Sequence, residues 1–302
     1  MTFRSRLTHR LEGVLCAGDT PPPSCCHDPV RNGDAEMTET SRPETIRIEI
    51  DARGVATLTL ARPERHNALS AQMMDELSEA ARRLGEDSSV RVVILAAEGE
   101  SFCAGGDLGW MREQMRADAA QRAREARRLA DMLGLLDRLP KPLIGRIQGQ
   151  AFGGGLGMIS VCDTAIGVTG LKLGLTEVRL GLIPATIGPY VIARLGAARA
   201  RRVFFSPRIF GPEEALSLDL LARVVPPEDL DAAVEAEVAP YLTAAPGAVA
   251  DSKALVRRLG GSVTPEAVDA TIAALVARWE TAEAEEGIAA FFEKRAPAWR
   301  HS

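Results

Sequence analysis

Two glycine runs and one glutamate are the residues of this sequence with chemistry to offer. Phe102-Cys103-Ala104-Gly105-Gly106-Asp107-Leu108 follows an apolar run, Val92 to Ala96, and precedes a long helical pattern. Gly105 and Gly106 let the backbone turn sharply and present an amide hydrogen with no Cβ in the way. Taken alone, the loop reads sooner as a tight strand-to-helix connection than as a ligand site. The second run, Gly149 to Asp163 (GQAFGGGLGMISVCD), also follows an apolar strand-like segment. Three consecutive glycines, Gly153 to Gly155, stand at the mouth of a predicted helix. Its first-turn amides lack partners, and the positive end of its dipole, roughly half a charge, points at whatever sits there. That predicts an anion or oxyanion site. The spacing supplies no GxGxxG across Gly153 to Gly157 and no GxxxxGK anywhere, which disfavours dinucleotide and P-loop chemistry. Two amides from separate turns converging on one oxygen suit an enolate or oxyanion, where losing one donor costs on the order of 10²–10³ in rate. The third feature is Leu175 to Thr186 (LTEVRLGLIPAT), whose only carboxylate is Glu177. In an apolar pocket its pKa would rise toward neutrality and fit it for proton transfer; on a solvated loop it would do nothing.

The elements that must position these groups follow from periodicity. Ile46 to Ile50 and Val55 to Leu60 alternate around Arg53-Gly54, predicting a hairpin. Ser70 is expected to cap a helix carrying Met73, Met74, Leu77, Ala81 and Leu84, closed by Gly85. A single helix is predicted from Leu108 to about Arg138, stopped by Pro140 and Pro142, followed by a buried strand at Leu143 to Ile147. After the glycine triplet come a short helix to Val161, a strand Thr164 to Val168 and a mostly irregular segment through Pro184. From Pro207 the pattern predicts helices only, at Pro212 to Leu220, Pro227 to Leu242, Pro246 to Leu259, Pro265 to Glu286 and Gly287 to Lys294. The expected organisation is a tail over residues 1–43, an α/β core over 44–206 and a helical unit over 207–302.

Composition narrows the function classes. The 302 residues are 46% apolar and 25% charged, a globular balance. A net charge of −5 gives a nucleic acid no long-range attraction. The arginines Arg112, Arg116, Arg122, Arg124, Arg127 and Arg128 are interleaved with Glu113, Asp118 and Glu125 and read as a solvated helix face. No run approaches the roughly 20 apolar residues of a membrane span. Cys16, Cys25, Cys26, Cys103 and Cys162 show no paired-ligand spacing, so neither a disulfide framework nor a metal site is expected. The Arg-bearing segment before Met37 reads as a start-site artefact or, in competition, a transit peptide, with a cytoplasmic location favoured. Of the histidines His9, His27, His66 and His301, only His66 lies away from the tails, and no Ser–His peptidase pair is expected.

The two glycine loops, Arg62-Pro63-Glu64-Arg65-His66-Asn67-Ala68-Leu69, Glu177 with Leu180-Gly181-Leu182-Ile183-Pro184, and Glu286 to Arg295 (EGIAAFFEKR) together resemble the enoyl-CoA hydratase/isomerase, or crotonase, family. The likeness runs from Glu44 to Trp299 in one order. It implies a crotonase-like α/β spiral of ββα units with a C-terminal helical trimerisation region, forming a homotrimer or dimer of trimers. It implies no metal and no cofactor beyond the coenzyme A carried by an acyl-CoA substrate, and no nucleic-acid or membrane partner. By position, the oxyanion amides fall on Gly106 and Gly154 and the acid/base on Glu177. Arg62, Arg65, Asn67, Ala68, Ala104, Asp107 and Leu108 would border the coenzyme A along with those glycines, and Lys294 would approach its phosphates. Asp107 and Asp163 are also read as structural. One departure stands out: hydratases carry a first glutamate where this chain has Gly157. The wording FGGGLGMISVCD with LTEVRLGLIPATIGPYV resembles bacterial methylglutaconyl-CoA and isohexenylglutaconyl-CoA hydratases, which favours syn hydration of a 2-enoyl-CoA. A Δ3,Δ2-enoyl-CoA isomerase and a non-catalytic acyl-CoA-binding protein are the alternatives. A dehalogenase would need an aspartate where Ala185 stands. For a substrate with a distal carboxylate, a cation from Arg112 or Arg116 is expected at the acyl end.

Overall fold

The computed structural model describes residues 43–261 and 263–299. The expected tail therefore falls outside the described residues, apart from its last position. The chain opens with the hairpin β1 (Ile46–Ile50) and β2 (Val55–Leu60), paired from Ile46 opposite Leu60 to Ile50 opposite Ala56. Helix α1 (Ala71–Glu86) follows, with the Ser70 hydroxyl accepting from Met73 N–H as the sequence foretold. Its apolar face, Met73, Met74, Leu77, Ala81 and Leu84, is buried.

Three further turns of chain repeat one plan. Each lays a strand in a large sheet, a short strand in a small sheet, and then a helix. The first has β3 (Val92–Ala97), β4 (Ser101–Cys103), α2 (Leu108–Arg116) and α3 (Ala119–Asp137). The second has β5 (Leu143–Ile147), β6 (Gln150–Phe152) and α4 (Gly154–Val161). The third has β7 (Thr164–Val168), β8 (Leu173–Gly174), a 3-10 turn Glu177–Leu180 and α5 (Gly188–Ala200). The chain ends with α6 (Pro212–Ser217), β9 (Arg223–Val225), α7 (Leu230–Thr243), α8 (Pro246–Gly260), α9 (Pro265–Trp279) and α10 (Ala282–Phe292). The large sheet has the order β1-β2-β3-β5-β7-β9, parallel after the hairpin, and the small sheet is β4-β6-β8, all parallel.

Four departures from the sequence reading have local causes. The helix expected from Leu108 to Arg138 breaks at Ala117, because the Asp118 carboxylate accepts Gln121 N–H and starts α3 afresh. The helix expected to run to Glu286 ends at Trp279, where the Thr281 hydroxyl caps α10. Residues 223–225, inside the stretch read as helices only, form β9 at the edge of the large sheet beside β7. The strands of the small sheet are two or three residues long, too short to leave a period-two signature.

Candidate active site

The strands of the small sheet end side by side, and each delivers one of the groups marked in the sequence. β4 runs into Gly105-Gly106, β6 into Gly153-Gly154, and β8 reaches Glu177 three residues on. Neighbouring parallel strands lie about 5 Å apart, so three groups distant in sequence meet at one edge. Gly153 shows how closely they meet. Its φ of +48° is a region that side chains rarely enter, and a Cβ there would stand 3.0 Å from Glu177 Oε1 and 3.9 Å from Gly105 Cα.

Leu69 fixes the two amides. Its N–H donates to the Gly105 carbonyl at 2.7 Å and its carbonyl accepts from Asp107 N–H at 3.0 Å. This isolated parallel bridge turns the intervening Gly106 N–H toward the opposite side, where it has no partner among the described residues. The Leu69 side chain fills the space beside Gly154, with Cδ1 2.6 Å from where a Cβ would stand. Gly154 heads α4, so its N–H has no intrahelical acceptor.

Glu177 supplies the carboxyl. The residue keeps some surface along the cavity, but its Oε2 is sealed and has no hydrogen-bond partner among the described residues. Burial pushes its pKa from 4.5 up to about 7, opposed only by a hydrogen bond from its own backbone amide. The loop carrying it is clamped from outside. Gly287 of α10 passes so close to Leu180 that a Cβ would stand 2.5 Å from the Leu180 carbonyl carbon, and Arg278 donates to the Gly181 carbonyl.

These groups border a cavity of about 500 Å³. Most of its wall is apolar, including Met111, Leu129, Ile183, Leu275 and Trp279. The polar side chains besides Glu177 are Gln114, Arg122, Thr176, Arg179 and Thr186. Gly106, Gly154, Glu177, Ala104 and Leu108 all border it.

The other predicted residues lie elsewhere. The Arg62 guanidinium donates to the Ala68 carbonyl and pairs with Asp107 Oδ2, both at 3.1 Å. Asp107 Oδ1 caps α2 through Gly109 and Trp110 N–H, so Asp107 is occupied as a structural group. Asn67 has no exposed surface; its Oδ1 accepts from Arg62 N–H, and its Nδ2 donates to the Glu98 and Ser101 carbonyls. It shapes the segment and presents nothing to a ligand, contrary to its expected contact with coenzyme A. Ala68 is buried, Arg65 is exposed, and Lys294 is exposed just beyond the end of α10. His66 meets the Ser101 hydroxyl at 3.0 Å, but Ser101 is buried in β4 and neither borders the cavity. Among the described residues no Ser–His pair borders this cavity.

Three features escaped the sequence. Ile187 occupies the space a side chain at position 157 would need, with Cγ2 2.7 Å from a Gly157 Cβ. A second carboxylate at that position is therefore excluded by packing. Gln114 and Arg122 border the cavity, whereas a cation from Arg112 or Arg116 was expected. Arg112 instead lies 4.5 Å over the Phe292 ring, and neither Arg112 nor Arg116 borders the cavity. The break before Asp118 explains the correction, since it starts a separate helix, α3, whose Arg122 enters the cavity wall.

Unpaired main-chain N–H groups beside a buried carboxyl raised to about 7, bordering a largely apolar cavity, are chemically able to stabilise a carbonyl oxyanion and to move a proton. The enoyl-CoA hydratase/isomerase family profile matches residues 51–302. A Mycobacterium bovis protein named probable enoyl-CoA hydratase is 32% identical over 262 residues, covering 85% of this chain and 98% of that protein. The crystal structure of an enoyl-CoA hydratase from Mycobacterium avium superposes with a TM-score of 0.77 at 30% identity, covering 85% and 99% of the two chains. Pseudomonas aeruginosa AtuE superposes at 0.69 with 32% identity over 85% and 100%. The chain is an enzyme of the enoyl-CoA hydratase/isomerase family and has the crotonase fold.

Proposed function

We propose that this enzyme adds water across the double bond of a 2-enoyl-CoA, with Glu177 as its single acid and base. The observation that carries the reading is the Glu177 carboxyl, sealed, unpaired and raised to about 7, beside the two glycine turns. The thioester oxygen would accept from Gly106 and Gly154 N–H, which lowers the cost of placing negative charge there. Glu177 as carboxylate takes a proton from water while the water oxygen bonds to Cβ and the double-bond electrons move through Cα onto the thioester oxygen. The acid so formed returns the proton to Cα and the carbonyl re-forms. One carboxyl serving both steps works from one face, so addition is syn. Coenzyme A arrives on the substrate, and the chemistry calls for no metal or further cofactor.

The packing of Ile187 against Gly157 favours a second reading, because a lone carboxyl also suffices to move a proton from Cα to Cγ of a 3-enoyl-CoA. Incubation with crotonyl-CoA, 3-methylglutaconyl-CoA and a 3-enoyl-CoA, with products identified by mass, separates the two. Gain of one water supports hydration. Conversion of only the 3-enoyl thioester, without gain in mass, replaces it with isomerisation, and no conversion of any of them removes both. Assembly into a trimer or a dimer of trimers belongs to the same reading, supported by exposed Leu255, Val256 and Leu259 on α8 and checked by light scattering.

A further inference from the structure

Water addition asks more of a site than proton transfer does. The attacking water must point one O–H at the Glu177 carboxylate and its oxygen at Cβ, and its second O–H then needs an acceptor of its own. Few side chains of the cavity wall can accept. Arg122 and Arg179 are donors only, and the Gln114 Oε1 acceptor is sealed. Beyond Glu177, that leaves two threonines, Thr176 and Thr186, in a wall that is otherwise largely apolar.

Thr186 is placed for that task. It is only 5% exposed and borders the cavity. Its hydroxyl has no partner among the described residues and, unlike Glu177 Oε2, is not sealed, so what surface it keeps opens into the cavity. Packing leads from the carboxyl to this hydroxyl in short steps. Glu177 Oε1 lies 3.0 Å from where a Gly153 Cβ would stand, and Gly157, one turn further along α4, donates its N–H to the Gly153 carbonyl at 3.3 Å. Ile187, the residue after Thr186, rests on Gly157. A helical turn rises about 5 Å and adjacent residues are about 4 Å apart, which keeps Thr186 in the part of the wall that adjoins the carboxyl. Thr176 keeps more exposed surface, so bulk water competes for its hydroxyl.

We infer that the Thr186 hydroxyl holds the attacking water by accepting the O–H that Glu177 does not take. The inference rests on the hydratase reading above. As the water oxygen bonds to Cβ, the O–H facing Glu177 breaks, and its proton passes to the carboxylate and then to Cα. The O–H facing Thr186 survives as the hydroxyl of the product. Thr186 neither gains nor loses a proton, and what it contributes is orientation. A neutral hydroxyl also does this without placing a second negative charge beside Glu177, which would raise the Glu177 pKa further.

Two reactions of the same site separate this role from a structural one. Hydration of crotonyl-CoA or 3-methylglutaconyl-CoA, whichever the wild type turns over faster, uses the water. Exchange of the α protons of the corresponding saturated thioester in heavy water, followed by mass, uses only the two amides and Glu177. Thr186→Val keeps the shape of the side chain and removes the hydroxyl. It should lower kcat for hydration about tenfold to a hundredfold while exchange stays within about twofold of the wild type. Thr186→Ser should restore most of the hydration. Equal hydration by the wild type and Thr186→Val overturns the inference and leaves the hydratase reading standing, as does a selective loss of hydration in Thr176→Val alone. Loss of both reactions together, in Thr186→Val and again in Thr186→Ala, marks a structural role and also overturns it. A wild type that exchanges α protons but hydrates neither thioester removes the hydratase reading, and this inference falls with it.

Discussion

Asp163 at the head of β7 in the large sheet and the groups at the end of the small sheet treat hydrogen-bonding capacity in opposite ways. At the head of β7 a carboxylate is matched: Asp163 Oδ2 accepts from Leu143 N–H of β5 at 2.8 Å and from Lys253 Nζ at 2.6 Å. At the end of the small sheet, Gly106 and Gly154 N–H and Glu177 Oε2 stand without partners among the described residues. An unmatched buried group costs stability, so such groups persist where the surrounding packing over-determines them. The large sheet and the clamp of α9 and α10 on the Glu177 loop supply that packing here. The contrast teaches that the binding capacity of the site is unspent hydrogen-bonding potential, held in place by the packing around it.

The largest effect that would sharpen this contrast is on the acid itself. Glu177→Gln should lower kcat by about 10²–10⁴ while acyl-CoA affinity, read by calorimetry, changes little. An unchanged kcat would break the contrast at its centre. Gly154→Val would push the Leu69 contact and displace the amide, and its kcat/KM is expected to fall on the order of 10²–10³.

Next comes the pH dependence of stability. The folded protein holds the Glu177 proton up to about 7, whereas the ordinary carboxyl releases it near 4.5. The folded state therefore binds the extra proton within that window, and stability falls as pH rises through it, with the full penalty above the upper limit. The penalty is at most roughly 3 kcal/mol, with cavity solvent reducing it. Denaturant midpoints at low and high pH should show Glu177→Gln free of this loss; parallel curves for the two proteins would rule it out. Gly157→Ala, which presses on Ile187, is expected to cost about 1–3 kcal/mol in the same assay. The smallest effect lies in the other sheet. Asp163→Ala should cost about 1–2 kcal/mol of stability, with kcat/KM per folded molecule unchanged.

Much of the scaffold was legible. The hairpin at Arg53-Gly54, the Ser70 cap and the apolar strands β3, β5 and β7 each carry their cause within a few neighbouring residues. The strands of the small sheet were not legible, because two or three residues carry no periodicity, nor was β9, whose pairing with β7 joins residues more than fifty apart. At the site, the glycine runs and Glu177 could be marked from type and spacing. Leu69, Ile187, Gln114 and Arg122 could not, since a leucine, an isoleucine, a glutamine and one arginine among six announce nothing by themselves.

The sequence alone determined that two turns carry no side chain at Gly105-Gly106 and Gly153-Gly155 and that Gly157 carries no carboxylate, since both are properties of which side chains are absent. Only the tertiary structure decided that the turns and Glu177 share one sheet edge, that Ile187 closes the space at Gly157, and that Arg122 and Arg179 are cations in the wall. The reason is physical. Main-chain conformational freedom is written residue by residue, whereas burial, desolvation and the convergence of groups arise from contacts between segments far apart in the chain.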